Sequence, residues 1–369
     1  MNNGLPFRKM HGLGNDFVVI DARTRPIAFD DAQAKRIADR HTGVVCDQFI
    51  VLEPPQNGDA DVFMRIRNHD GGEVGACGNA TRCIADQLMN EMDTDRAVIE
   101  TLAGNLKTWR ADGGLVTVDM GPVNTDWRSI PLAHEMDTLH VDLTVGPLSD
   151  PACVNVGNPH ASFFVPDADA IDLLTFGPQI EHHELFPERT NVQAVQVLSD
   201  SKIRVRVWER GAGITLASGS SACATAVNAH RRGLTGARVE VELMGGTLIV
   251  EHTSDNRVTQ TGPFATSFEG LACSFELLAG LLEPRLHRFA EQQVFRGIAG
   301  QKQFREDHHV GTVFDARFAH GFNGLRGIAG DIAHQRVELG HHQSQVLHER
   351  KAPLSLRLAG SQAVLTTAY

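Results

Sequence analysis

The sequence predicts an α+β protein with two pseudo-symmetric lobes, each a curved, mostly antiparallel sheet around one central helix. Short alternating or β-branched runs bounded by Gly, Pro, Asn or Asp outnumber the helical segments, which favours a strand-rich fold. A gapless shift of 141 positions (218 − 77) places residues 65–85 on residues 206–226 and aligns Gly78 with Gly219. An internal repeat of this length indicates a duplicated architecture.

Most of the elements predicted in the first half are strands. Residues 30–40 and the segment from Gly78 to about Met92 are predicted helices, the second because Ile84, Leu88 and Met92 recur every four residues. Strands are predicted at 17–21, 48–52, 62–67, 97–101 and 115–119. We assign these elements to an N-terminal lobe at 1–130.

The second half repeats this plan in a C-terminal lobe at 131–273. The helix predicted at 219–231 corresponds to the one that begins at Gly78. Strands are predicted at 154–155, 162–165, 192–198, 202–208, 239–243 and 247–251.

The last segment, 274–369, has a different composition. It holds eight of the eighteen histidines, is rich in Gln and Arg, and has poor apolar periodicity. The pairs His308-His309 and His341-His342 lack carboxylates at ligand spacing, so no metal site is predicted. We interpret this segment as an atypical extension, either poorly ordered or out-of-frame sequence from a gene-model error. Tail peptides found by mass spectrometry in the native host would exclude the error.

Composition excludes several classes of protein. Of 369 residues, 42% are hydrophobic and 21% are charged, as in globular proteins. No apolar run is long enough for a membrane span, and the first residues lack the features of a signal peptide, which predicts a cytoplasmic location. A net charge of −11 argues against nucleic acid or an anionic membrane as partner and favours a small molecule.

The six cysteines are scattered, with no CxxC pair and no Cys/His set at zinc spacing. Most cysteines of this kind are small buried hydrophobes, and we expect Cys83 and Cys223 to be packing residues. Cys77 is different because it immediately precedes the glycine that starts a predicted helix. Ser218 occupies the same place in the second half.

The start of a helix offers free backbone N–H groups and the positive end of the helix dipole. We expect such a position to lower the pKa of a thiol from about 8.5 toward neutrality, and to hold a carboxylate or an enolate-like charge. Two acid/base groups on opposite faces of one carbon can invert its configuration without a cofactor. Two related halves would supply those opposite faces.

Seven motifs follow one another along the chain at 9–17, 43–48, 67–71, 75–82, 157–160, 191–192 and 208–213. In order and spacing they closely resemble the motifs of diaminopimelate epimerases, over residues 5–271. The resemblance implies a cofactor-independent isomerase, with its active site between two lobes, that interconverts LL- and meso-2,6-diaminopimelate by means of two cysteines. It further implies a homodimer that serves lysine and peptidoglycan synthesis.

Carried over by position, the resemblance makes Cys77 and Ser218 the acid/base pair, assisted by His160 and Glu209. Arg210 resembles a clamp for a substrate carboxylate, which suits bidentate pairing. Further substrate-binding positions are Asn15, Gln48, Asn68, Gly78, Asn79, Asn158, Asn191, Glu209, Gly219 and Ser220.

The chain departs from the family pattern at three positions, two of them in one motif. Ser218 replaces the second thiol and Ser221 replaces a glycine. A hydroxyl is a far weaker acid than a thiol, and the sequence shows no base close to Ser218 to activate it. Val45 also replaces a glycine, which is tolerable if its φ is negative.

These departures leave three functions open. The first is a diaminopimelate epimerase, impaired by Ser218, in which the hydroxyl passes a proton through water or acts weakly itself. The second is a one-base enzyme of the proline racemase-like superfamily that exchanges or eliminates at the α-carbon. The third is a catalytically silent binder of a diamino dicarboxylate. The intact Asn residues and Arg210 count against the second function.

Overall fold

The computed structural model describes residues 4–272, 355–358 and 361–364, and the chain divides into units at 1–308 and 309–369. Cys273, the paired histidines and most of the predicted extension lie outside the described residues. In the second unit, Ser355–Leu358 and Ser361–Val364 pair as antiparallel strands, with Leu356 opposite Ala363. No helix in the described ranges is both long and apolar enough to cross a membrane.

In the first half, eight strands surround two helices and one 3-10 turn at Asp112–Gly114. The helices are α1 (Asp31–Ala38) and α2 (Gly78–Met92). The strands are β1 (Leu5–Gly12), β2 (Asn15–Asp21), β3 (Gln48–Glu53), β4 (Val62–Asn68), β5 (Glu73–Val74), β6 (Arg96–Thr101), β7 (Gly104–Ala111) and β8 (Leu115–Pro122).

The second half continues with eleven strands and two helices, α3 (Leu173–Glu181) and α4 (Gly219–Arg231). The strands are β9 (Thr144–Val145), β10 (Leu148–Ser149), β11 (Ala152–Asn155), β12 (Pro159–Phe164), β13 (Asn191–Ser199), β14 (Lys202–Glu209), β15 (Gly213–Ile214), β16 (Arg238–Leu243), β17 (Gly246–His252), β18 (Arg257–Gly262) and β19 (Ala265–Ala272).

Strand pairing repeats between the halves, as the internal repeat predicts. The parallel pair β2 and β3 places Phe17 opposite Gln48, and the parallel pair β12 and β13 places His160 opposite Asn191. The pairs β4–β6 and β14–β16 are parallel as well, and the other named ladders are antiparallel. The α+β fold class with mostly antiparallel sheet is therefore confirmed.

Two ladders join the halves into one hydrogen-bonded sheet of seventeen strands within residues 4–272. β1 pairs with β19, and β8 pairs with β18, both antiparallel. Because these partners are far apart in sequence, the local pattern of either strand does not reveal the pairing. The lobe boundaries at 130 and 273 remain a prediction.

Each central helix packs in its own hydrophobic core. α2 buries Ile84 and Leu88 among residues of β3, β4 and β6, as its four-residue spacing predicts, while Met92 at its end is exposed. α4 buries Ala222 and Cys223 against β14, β16 and β17. The two predicted reacting positions, Cys77 and Ser218, therefore stand at the starts of helices that are packed into hydrophobic cores.

The sequence prediction missed the helix α3 and several strands (β1, β5, β7, β9, β10, β15, β18 and β19), and the reasons are identifiable for β1 and α3. β1 carries Lys9 in its middle, a residue atypical of buried strands, and an ion pair of 2.7 Å with Asp16 accommodates it. α3 contains Gly177 and Pro178, which interrupt a helical pattern. Gly177 is required by packing, since a Cβ there would lie 2.5 Å from the Trp208 ring.

Val45 is expected to be tolerable in place of glycine if its φ is negative, and the structure shows that it is not. Its φ is +67°, in the left-handed region, where a β-branched residue is strained. The Val45 carbonyl accepts a hydrogen bond from Lys9 Nζ, which holds the loop before β3 in this conformation.

We therefore expect Val45→Gly to stabilise the protein by about 1 kcal/mol, because glycine adopts this φ without steric cost. The free energy of unfolding from chemical denaturation measures the change. Val44→Gly is the matched control, since Val44 has no positive φ and packs against a hydrophobic core, so it should destabilise. Equal losses of stability in both variants would contradict strain at Val45.

Candidate active site

The two predicted reacting residues occupy equivalent positions. Cys77 is the N-cap of α2, with φ −147° and ψ 109°, and Ser218 is the N-cap of α4, with φ −125° and ψ 112°. Both are extended, so each side chain lies beside the free N–H groups of the following turn. The helix bounds agree with those predicted from sequence.

Ser218 is paired with a buried carboxylate. Its Oγ accepts a hydrogen bond from the N–H of Ser221 (3.4 Å) and donates one to Glu209 Oε2 (2.9 Å). Thr215 donates to the other oxygen, Oε1, at 2.5 Å. Glu209 is the last residue of β14. The chain then turns into the antiparallel strand β15, which leads to the start of α4 and so brings Ser218 back to Glu209. No base lies close to Ser218 in the sequence, and the structure brings Glu209, which the family resemblance implies as an assisting residue, to this hydroxyl.

Burial raises the pKa of Glu209, and the nearby charge of Asp47 adds to the increase. The hydrogen bonds from Thr215 and Ser218 oppose it. A carboxylate with a raised pKa is a stronger base than an exposed one. The Ser218–Glu209 pair can therefore accept a proton through the hydroxyl.

The thiol of Cys77 contradicts the expectation of a pKa near neutrality. Burial raises the pKa of Cys77 to about 11, although amide donors at Ala80 and Asn79 and the charge of Arg82 lower it. Its Sγ lies 3.7 Å from Asn15 Oδ1. Desolvation raises the pKa of this thiol more than the N–H groups at the helix start lower it. Without a bound ligand Cys77 is a neutral thiol at pH 7, suited to give a proton.

His160 is fully buried at the centre of a polar network. Its Nδ1 accepts from Gln193 Nε2 (2.9 Å), so Nε2 carries the proton and donates to Asn158 Oδ1 (2.7 Å). Burial, together with the charge of Arg210, lowers the pKa of His160 to about 3. The ring is therefore neutral and fixes the orientation of Asn158. Gln193 was missed by the sequence analysis, which offers no signal for it.

Gln193 also donates to Ser221 Oγ (3.3 Å), the hydroxyl that stands where the family pattern has glycine. The extra side chain is thus buried and paired rather than directed at Ser218.

The predicted amides of the first half form two hydrogen-bonded pairs. Asn15 Nδ2 donates to Asp47 (3.1 Å), and Asn79 Nδ2 donates to Asn15 Oδ1 (3.2 Å). Gln48 Nε2 donates to Asn68 Oδ1 at 3.1 Å, and Gln48 Oε1 is buried without a partner among the described residues. An unsatisfied buried acceptor is costly, so this oxygen is suited to receive a donor from a ligand.

Asn191 and Arg210 are linked. Asn191 Oδ1 accepts from the Arg210 backbone N–H (3.0 Å), and its Nδ2 donates to the Pro159 carbonyl (2.8 Å). Each polar group of Asn191 thus has one partner inside the protein, and the second Nδ2–H and the second lone pair of Oδ1 can still serve a ligand. Arg210 is exposed and donates to the Glu188 carbonyl at 3.0 Å, which leaves other donors of its guanidinium for a ligand.

The helix-start glycines are required by close packing. A Cβ at Gly78 would lie 1.7 Å from Gln260 Nε2, and one at Gly219 would lie 2.7 Å from Gln260 Oε1. The fully buried Gln260 thus touches the starts of both helices and places them side by side. Ser220, half-buried, follows Gly219 in the first turn of α4. The structure therefore brings the starts of α2 and α4, with Cys77 and Ser218 as their N-caps, to one location.

Three comparisons with known proteins give a consistent result. The sequence model of the family described as diaminopimelate epimerase matches residues 7–125 and 152–266. A diaminopimelate epimerase of Rhodospirillum centenum is 57% identical over 75% of this chain and 94% of its own length, and one of Acidiphilium cryptum is 51% identical over 76% and 98%. A hydroxyproline epimerase of Agrobacterium vitis, solved with trans-4-hydroxy-L-proline, has the same fold, with a TM-score of 0.53 and 15% identity over 73% of this chain and 93% of that chain.

Proposed function

The chain belongs to the diaminopimelate epimerase family, and from this premise we propose that it interconverts LL- and meso-2,6-diaminopimelate at one α-carbon. The observation that carries the proposal is the placement of Cys77 and the Ser218–Glu209 pair at the starts of two repeat-related helices. As an isomerase of this family, the protein serves lysine and peptidoglycan synthesis.

The proposed reaction moves two protons. As the Ser218 hydroxyl takes the α-proton, its own proton passes to the Glu209 carboxylate, so the serine ends as a hydroxyl and Glu209 as a carboxylic acid. The Cys77 thiol gives its proton to the opposite face and becomes a thiolate. Exchange with solvent resets both groups. The reverse direction uses the same groups in opposite roles.

We assign the negative charge that develops on the substrate to the two helix starts. The carboxylate next to the reacting α-carbon accepts hydrogen bonds from the backbone N–H groups at the two helix starts, those of Gly78, Asn79, Gly219 and Ser220. The amino and carboxylate groups at the distal end of the substrate are bound by side chains, those of Asn15, Gln48, Asn68, Asn158, Asn191 and Arg210. Gln48 Oε1, buried without a protein partner in residues 4–272, supports the contact with an ammonium group.

We further propose a cytoplasmic homodimer whose partner in binding is the small-molecule substrate, with no nucleic acid. The acidic net charge of −11 supports the last point. Size-exclusion chromatography with light scattering tests the dimer.

Incubation of the full chain with LL-diaminopimelate in D₂O tests the function. We expect deuterium at one α-carbon together with the meso isomer, detected by mass spectrometry and chiral chromatography. Exchange without inversion would instead indicate one-base action. No exchange at all would indicate a silent binder, and either result would overturn the proposal.

We expect Glu209→Gln to lower the rate of epimerisation about 10²-fold or more, because the amide cannot accept the proton from Ser218. In the unaltered chain, activity should fall as pH decreases through the raised pKa of Glu209, since protonation removes the base. The pH dependence of kcat measures both effects.

Glu251→Gln is the matched control, because Glu251 lies on β17 and, within residues 4–272, its ion pair is with the exposed Arg238. It should keep both the rate and the acidic limb of the profile. A Glu209→Gln variant with normal activity would remove Glu209 from the mechanism.

A further inference from the structure

Arg82, on the second turn of α2, is a fully buried arginine with only neutral partners among the described residues. It is 0% exposed and donates to the Pro263 carbonyl (3.2 Å), Gln260 Oε1 (3.2 Å) and Asn79 Oδ1 (2.7 Å). No carboxylate lies within ion-pair distance in residues 4–272, and the titratable groups that act on it electrostatically are the thiols of Cys83, Cys77 and Cys223. A buried cation without an anion is strongly unfavourable.

The fold makes specific room for this guanidinium. A Cβ at Gly12 would lie 3.1 Å from Arg82 Nη2, and one at Gly262 would lie 3.3 Å from Nε. Bare backbone of β1 and β18 therefore encloses the charge. Burial lowers the pKa of Arg82, but a guanidinium starts from so high a pKa that it keeps its proton and its charge near neutral pH.

Two chains of contacts connect Arg82 to the reacting positions. The first runs through Asn79 to Asn15, whose Oδ1 lies 3.7 Å from Cys77 Sγ. The second runs through Gln260, which lies against the first residue of each central helix, Gly78 and Gly219. The guanidinium is thus held behind both helix starts, on the protein side of the site.

We propose that Arg82 is a positioning residue whose buried positive charge favours the thiolate of Cys77 and the anionic substrate between the two helix starts. This inference rests on the proposed function. The missing counter-charge of Arg82 is then supplied during the reaction, when the thiol loses its proton and the α-carbon becomes carbanionic. Burial opposes both events, and a fixed cation in a water-poor region offsets part of that opposition.

Alkylation of Cys77 by iodoacetamide tests the charge without substrate or turnover, so its result is independent of whether the protein is an epimerase. The full chain and its variants are alkylated from pH 6.5 to 10.5, and the Cys77 peptide is quantified by mass spectrometry. We expect Arg82→Met to react about tenfold more slowly below the pKa of the thiol, corresponding to a shift of about one unit. Arg82→Lys, which keeps the charge, should stay within about threefold of the unaltered chain.

Arg231→Met is the matched control. Arg231 also donates to neutral oxygens, those of Cys153, Asn228 and Thr138. It is the last residue of α4, at the opposite end of the helix from Ser218. Its alkylation profile should match that of the unaltered chain. Circular dichroism and thermal melting identify folded variants, and Arg82→Gln replaces Arg82→Met if the latter does not fold.

Two results would overturn the proposal. The first is a folded, uncharged variant at position 82 that alkylates at the unaltered rate. The second is an Arg82→Lys variant as slow as the uncharged one, which would assign the effect to the shape of the guanidinium instead of its charge.

Discussion

Ser218→Cys is expected to raise the rate of epimerisation about 10²- to 10⁴-fold, the range that one general base contributes. A thiol ionises near pH 8.5, whereas a serine hydroxyl does not ionise in water near neutral pH, so the present hydroxyl must pass its proton to Glu209 as it takes another. The introduced thiol is a stronger acid than the hydroxyl, so it gives its proton to Glu209 more readily, and the resulting thiolate accepts the α-proton directly. Formation of the meso isomer from LL-diaminopimelate, followed at saturating substrate, measures the gain in kcat.

Ser199→Cys is the control for this gain, because it introduces the same thiol at the exposed end of β13. It should leave kcat unchanged. If Ser218→Cys alone gives no increase, the double variant with Ser221→Gly tests whether the second departure disables the site. Failure of both would contradict the place of Ser218 in the mechanism.

Cys77→Ala is expected to abolish inversion, with a loss of at least about 10²-fold in epimerisation. The variant loses the only thiol at a helix start among residues 4–272, and with it the proton for one face of the α-carbon. Exchange of the α-proton in D₂O should continue slowly through Ser218 and Glu209 without forming the other isomer. Mass spectrometry and chiral chromatography separate the two outcomes.

Cys83→Ala is the matched control on the same helix. Cys83 is fully buried in the core around α2, so its truncation should lower stability without lowering kcat by a comparable factor. Substantial inversion by Cys77→Ala would mean that another group delivers the proton.

The helices at the site are predictable from sequence because their signals are local. The bounds of α2 and α4 agree with the predicted segments, since each starts at a glycine after an extended cap and continues with apolar residues at helical spacing. Cys83 and Cys223 are buried packing residues, as expected. The repeat in strand pairing follows from the repeat in sequence.

Other features of the site depend on residues that are far apart in the chain. Gln260 lies 178 positions from Arg82, and Gln193 lies 33 from His160, so no local pattern indicates either contact. The pKa of Cys77 depends on desolvation by its surroundings, which composition does not report. The φ of Val45 depends on the loop that Lys9 holds.

The sequence by itself determined the duplicated α+β plan, the family, and the mismatch between Cys77 and Ser218. The reason is that the order and spacing of motifs are properties of the linear chain. Only the tertiary structure decided how that mismatch is compensated. It brings Glu209 to 2.9 Å from the Ser218 hydroxyl, buries Cys77 as a neutral thiol, and holds Arg82 behind both helix starts. The physical reason is that proton affinity depends on burial and on neighbouring charges, and these are set by folding rather than by residue type.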